Sequence, residues 1–164
     1  MSEPEGFREY VVARQAALLR TARLLTGDWQ QAEDLVQTAL MKVWPHWRRL
    51  TAEGEDPDGY VRRVVMTSYL TWRRRRWWGE RCLPVPDVSD AGDAVAGVDL
   101  RDSLARVLRG LPPAQRAVVV LRFYEDLSVE QTAALLGCSE GTVKSQTVKA
   151  LHKLKGVVAM GELR

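Results

Sequence analysis

The stretch SVEQTAALLGCSEGTVKSQTVKALHKL, residues 128–154, decides the fold. Ser128 with Gln131 three residues on forms a capping box that opens a first short helix. Ala133, Leu135 and Leu136 give that helix an apolar side. Gly137 stops it, because glycine enters a left-handed turn without steric cost. Ser139 is the N-cap of a second helix. On a wheel of about 100° per residue, Val143, Thr147, Ala150 and Leu154 share one side. Lys144, Ser145, Val148, Lys149, His152 and Lys155 share the other. This is a helix-turn-helix, and the second helix of such a unit lies in a DNA major groove. A lysine-bearing amphipathic helix is more often only a solvated face. The small Ala133, the turn Gly137 and the inward Val143 at helix-turn-helix spacing favour the DNA-reading alternative. Gly141 in the first turn costs about 1 kcal/mol of helix stability, which a close approach of backbone to phosphate would offset. Val148, apolar on a polar face, suits a thymine methyl.

The rest of the chain is helix-friendly, and its charge is unevenly placed. Among 164 residues the formal net charge is only +3, which by itself says little about a polyanionic partner. Arginines crowd 62–81, aspartates crowd 87–102 and lysines crowd 144–155. Cys82 and Cys138 form no CxxC pair, and His46 and His152 stand near no cluster with metal spacing. The reading is a reduced cytoplasmic protein with no metal and no cofactor. MSEPEGFREY, residues 1–10, has no apolar run of the kind a signal peptide needs, and no window reaches the length of a membrane span.

From the N-terminus, Phe7, Tyr10, Val11, Leu18, Ala22 and Leu25 follow helical spacing, so residues 5–26 read as a helix closed by Gly27. Asp28 with Gln31 caps a second helix, residues 29–47, with Pro45 marking a bend or an end. Its apolar stripe is Ala32, Leu35, Val36, Ala39, Leu40, Val43 and Trp44. Glu33, Asp34, Gln37 and Thr38 are its polar positions, either a solvated face or a grip on a basic partner helix. Residues 51–59, TAEGEDPDG, read as a polar loop.

Residues 60–80, YVRRVVMTSYLTWRRRRWWGE, form a basic helix interleaved with aromatics. Val61, Val64, Val65, Ser68 and Trp72 share the side expected to face the core. Arg62, Met66, Tyr69, Arg73 and Arg76 share a neighbouring one. Arg63, Thr67, Leu70, Arg74, Trp77 and Trp78 lie further round. Cations that track phosphates beside aromatic surfaces for unstacked bases suit single-stranded or partly opened nucleic acid. The alternative is a solvated arginine run above buried tryptophans. Residues 82–98, rich in Pro, Gly, Ser and Asp, read as a linker with a relaxed span of roughly 25 Å and a stretched span of about 65 Å. Residues 99–109 form a short amphipathic helix ended by Gly110. Pro112 or Pro113 starts another, whose AVVVLRFY run could also be a strand; the proline and the following helix-turn-helix favour a buried helix.

With both halves read, the chain resembles bacterial RNA polymerase sigma factors of the extracytoplasmic-function group, SigE-like members among them. LLTGDWQQAEDLVQTALMKVW, residues 24–44, is similar to that family's core-binding segment. YVRRVVMTSYLTWRRRR, residues 60–76, is similar to its −10 segment, and residues 111–151 resemble its region 4. The resemblance implies an all-α fold of two small helical domains joined by a flexible linker, with the helix-turn-helix in the second. The bounds are 1–81 for a region 2-like domain, 82–98 for the linker and 99–164 for a region 4-like domain. It implies that Asp34, Leu35, Gln37 and Thr38 bind core polymerase, Asp34 and Gln37 against a coiled coil of the largest subunit. Arg62, Arg63, Thr67, Tyr69, Arg73, Arg74 and Arg76 would take the −10 element. Ser139, Thr142, Lys144, Ser145, Gln146, Val148 and Lys149 would take the −35 element. An anti-sigma factor is a further implied partner; a membrane, a small-molecule substrate and catalysis are not. Two positions depart from the family pattern: Thr67 stands where Asn is frequent, and Gln146 where Arg is common. The chain ends soon after Leu154, so no further C-terminal regulatory domain is expected. The rival reading is a stand-alone helix-turn-helix regulator that binds duplex DNA without polymerase; it leaves Asp34, Gln37 and the basic-aromatic helix unexplained.

Overall fold

Capping chemistry sets most of the helix ends in the computed structural model, which describes residues 2–79 and 100–159. Helix α1, Phe7–Thr26, ends at Gly27, whose φ of 79° lets its N–H reach the Arg23 carbonyl at 2.9 Å. Helix α2, Trp29–Val43, starts on the Asp28 carboxylate, which accepts from the Gln31 N–H at 3.1 Å. The helix expected to reach residue 47 stops earlier. Pro45 lacks the N–H that would continue it, so Trp44–His46 forms a 3-10 turn and α3, Trp47–Ala52, follows.

The loop expected over 51–59 is also shorter. Thr51 and Ala52 finish α3, and α4, Pro57–Gly79, begins upstream of Tyr60. Asp56 accepts from the N–H groups of Asp58 and Gly59 at 3.1 and 3.2 Å, and Pro57 takes the first-turn position where a missing N–H costs nothing. The Asp-Pro pair was the available signal.

The second half comprises α5, Leu100–Arg109; α6, Pro113–Val119, continued by a π-helical turn, Val120–Tyr124; α7, Val129–Leu136; and α8, Glu140–Ala159. The AVVV run is therefore helical. Ala117, Val118, Val119, Val120 and Leu121 are all buried, which explains an apolar run without periodicity. The capping box of α7 closes both ways: the Gln131 N–H donates to Ser128 Oγ at 3.0 Å, and the Ser128 N–H to Gln131 Oε1 at 2.9 Å. No strand is present among the described residues. The expected linker, 82–98, lies outside them.

Helices α1 and α2 pack on each other, and α2 on α4; α6 and α7 hold α8. The Phe7 ring meets Trp44 and Trp47 edge-on at 5.0 and 5.2 Å, anchoring the start of α1. Val118, Ala133 and Val143 form the small core of the helix-turn-helix. The main core runs on from the first half into the second, joining Leu25, Met66 and Tyr69 to Leu108, Val120 and Leu121. The halves touch: α1 meets α5, α6 and the π-helical turn, and α4 meets α7. Arg116, 4% exposed, donates to the carbonyls of Leu108, Arg109 and Leu111 at 2.9–3.0 Å, and across to that of Leu25 at 2.8 Å. Arg109 and Arg23 both donate to the Gly27 carbonyl. Three guanidinium groups thus gather at the carbonyl end of α1, where its dipole is negative.

Candidate nucleic-acid interface

Helix α8 owes its orientation to its apolar side. Val143 and Ala150 are fully buried and Thr147 and Leu154 half-buried, so the opposite side must face outward. Lys144, Ser145, Val148, Lys149, His152 and Lys155 are all exposed there, Val148 at 68%. Gln146 is half-buried at the edge. At the start of the helix, Ser139 Oγ accepts from the Thr142 N–H at 3.1 Å and lies 2.9 Å from the Thr142 hydroxyl; both residues are exposed. No described acidic side chain pairs with Lys144 or Lys149, so their charge is available to an anion.

Helix α2 presents Asp34, Gln37 and Thr38 to solvent. Leu35 does not join them. It is buried among the core residues and holds the helix in place. Sequence reading passed over Met41, which is 76% exposed. It lies three residues beyond Thr38 and extends the Asp34–Gln37–Thr38 face, a spacing that could have found it.

Helix α4 is divided. Val61, Val65 and Ser68 are buried as expected. Arg63 and Thr67 are exposed, the Thr67 hydroxyl donating to the Val64 carbonyl at 3.2 Å. The neighbouring side expected to meet nucleic acid is largely covered. Met66 is buried, and Tyr69 is 0% exposed beneath the Arg73 guanidinium, whose carbon lies 5.6 Å from the ring centroid. A ring with no accessible surface cannot stack on a base, so in this arrangement Tyr69 is a core residue and not a contact. Arg62 is engaged too, by Asp58 at 3.6 Å and Glu125 at 3.2 Å. The Arg74 and Arg76 side chains lie outside the described residues.

Two polar clusters escaped sequence reading. In the first half, Asp58 accepts from the Tyr10 hydroxyl and from two nitrogens of Arg14, all at 2.9 Å. Burial, then the hydrogen bond to Asp58, pushes the Tyr10 hydroxyl well above its usual range. In the second, burial lowers the Arg116 pKa, Arg73 and Arg109 add repulsion, and Tyr69 opposes the shift. Among the described residues no cluster of His, Cys, Asp or Glu could hold a metal ion, and no helix is long and apolar enough to cross a membrane.

Comparison with known proteins gives these surfaces a family. Residues 11–79 match sigma-70 region 2 and residues 101–154 match sigma-70 region 4. The chain belongs to the sigma-70 family of RNA polymerase sigma factors. It is 43% identical over 158 residues to the RNA polymerase sigma-E factor of Streptomyces coelicolor, covering 94% of this chain and 87% of that one. The ECF RNA polymerase sigma factor SigM of Mycobacterium tuberculosis is 31% identical over 137 residues, 84% of this chain and 69% of its own. These relatives place the chain in the extracytoplasmic-function group. The sigma factor RpoE of Bartonella quintana, solved in complex with the anti-sigma factor NepR, shares the fold. Its TM-score is 0.73 at 24% identity, over 95% of this chain and 98% of that one.

Proposed function

We propose that this chain directs core RNA polymerase to promoters by dividing the work between its two helical domains, 1–81 and 99–164, joined by residues 82–98. The observation that carries the reading is the outer face of α8, where Lys144, Ser145, Val148 and Lys149 stand exposed over a buried opposite side. That helix enters the −35 major groove with Ser139 and Thr142 at its N-terminal end, lysines on phosphates and Val148 on a base edge. Helix α2 docks on the coiled coil of the largest polymerase subunit through Asp34, Gln37, Thr38 and Met41. Helix α4 takes the opened −10 strand through Arg63, Thr67, Arg73 and its neighbours. Each contact is weak alone; the polymerase scaffold makes the second one intramolecular and supplies avidity. An anti-sigma factor that covers these faces is the third partner we infer.

The test is abortive initiation from a promoter library with core polymerase, with and without the chain. Initiation that depends on the chain supports the reading. A chain that never stimulates initiation yet shifts duplex DNA unaided is a stand-alone regulator. Removing Lys144 and Lys149 together should lower the salt slope of promoter binding by about 2, whatever the sequence. Val148→Ala should instead relax preference at one −35 base pair and leave that slope unchanged. Titration of promoter binding against salt checks both.

A further inference from the structure

We propose that Lys42 is a phosphate contact for the opened strand, so that nucleic acid runs in the groove between α2 and α4 and not over α4 alone. The inference rests on the reading of α4 as the strand-binding helix and adds a second wall to it.

The groove comes from the packing of α2 against α4. The two helices run antiparallel along it. Lys42 stands opposite Ser68, and one turn further on the His46 ring meets the Tyr60 ring edge-on, with centroids 6.3 Å apart. Around α4, Thr71 lies about 60° and Thr67 about 100° from Ser68, with Arg63 about 40° beyond, by the helical step. Ser68 is buried, whereas Thr71, Thr67 and Arg63 are all exposed. Ser68 is therefore the floor of the groove, and the other three form its outer rim on the α4 side.

Lys42 bridges the groove. Its ammonium donates to Ser68 Oγ at 3.1 Å. An ammonium has three N–H donors, so two remain for a further acceptor. The helix dipole explains a cation in the last turn of α2, but not its reach across to α4. An exposed lysine ordinarily swings free; this one is already held, so it loses less rotamer freedom when it takes an anion. No described carboxylate pairs with it. The acids of α2, Glu33 and Asp34, precede it by about 12 Å of helix or more, which exceeds a Debye length at 0.1 M salt.

Beside the ammonium a cavity of about 230 Å³ opens between the helices. The hydroxyls of Thr38 and Thr71 and the half-buried Trp72 line it. One cation among neutral hydroxyl donors is the chemistry that holds a phosphate of a nucleic-acid backbone. An aromatic side chain next to it suits the base that follows. Lys42 comes directly after Met41, so polymerase docking and strand binding use adjoining edges of α2.

The experiment uses the full chain assembled with core polymerase, as wild type, Lys42→Gln, Lys42→Arg and Ser68→Ala. The probe is a fluorescein-labelled promoter from the initiation library, with its non-template strand left unpaired over the −10 element. The control is a −35 duplex that lacks the −10 element. Lys42→Gln keeps a donor for Ser68 and loses the charge. It should bind the forked probe about 5-fold more weakly, with a salt slope smaller by about 0.7, as for one phosphate contact to a single strand. Lys42→Arg should restore both. Ser68→Ala keeps the charge and frees the lysine, so affinity should fall about 2-fold with the slope unchanged. All four proteins should match on the control duplex, in affinity for core polymerase and in melting temperature. An equal slope for Lys42→Gln and wild type, in complexes that do bind the forked probe, overturns the role of Lys42 and leaves the reading of α4 standing. Weaker assembly of Lys42→Gln with core polymerase, at unchanged affinity of the assembled complex for the forked probe, assigns Lys42 to docking and also overturns it. A wild-type complex that gains nothing from the unpaired strand refutes the reading of α4, and this inference with it.

Discussion

Arg116→Leu is expected to cost about 3–5 kcal/mol of stability, because it strands several buried carbonyls at once. Arg116 sits where α5, its turn and α6 converge on the end of α1, with carbonyls of Leu108, Arg109, Leu111 and Leu25 around its guanidinium. Helix C-termini and turns leave such carbonyls without intrahelical partners, and burial bars water from replacing the lost donors. Leucine fills part of the volume and supplies no N–H. The expected fall in melting temperature is on the order of 10 °C. Arg116→Lys keeps the charge but loses the planar fork that reaches carbonyls in several directions, so it should recover less than half of the loss. Thermal unfolding by circular dichroism checks both; a fall of under about 2 °C for the leucine variant would contradict the role assigned to this side chain.

Asp34→Arg should lower chain-dependent initiation about 100-fold, the scale of reversing a charge at the centre of an interface. The side chain is exposed on α2 and makes no described hydrogen bond or ion pair within the fold. Its replacement should therefore leave stability within about 0.5 kcal/mol of wild type. That contrast separates docking from folding: the Arg116 variant melts early, whereas the Asp34 variant melts normally and fails only with polymerase. Unchanged initiation in a normally folded Asp34→Arg protein would remove α2 from the docking surface.

The parts of this molecule that were legible in its sequence are those governed by neighbours in the chain. Ser128, Gln131, Gly137 and Ser139 mark the helix-turn-helix because caps act over three or four residues, and the structure carries the capping box bond for bond. The outward face of α8 was legible for the same reason, since its wheel needs only the period of a helix. The start of α4 at Asp56-Pro57 was equally local and was overlooked. The burial of Tyr69 was not local. On α4 alone it belongs with arginines, whereas in the fold it joins a core that includes Leu108, Val120 and Leu121 from far along the chain. Thr21 and Glu125 are 104 residues apart, and no pattern in either neighbourhood announces their bond. The carbonyls that accept Arg116 into the interior come from the end of α5 with its turn and from the end of α1, 91 residues away in the chain.

The central claim is that one chain holds two promoter elements at once, through α8 and α4. It is tested most directly by a photo-crosslinking amino acid placed at Val148 or at Thr67, in initiation complexes formed with core polymerase. The account predicts that position 148 crosslinks to −35 duplex and position 67 to the −10 non-template strand, the latter only when polymerase is present. Crosslinks from both positions to one stretch of duplex, formed equally well without polymerase, would contradict it.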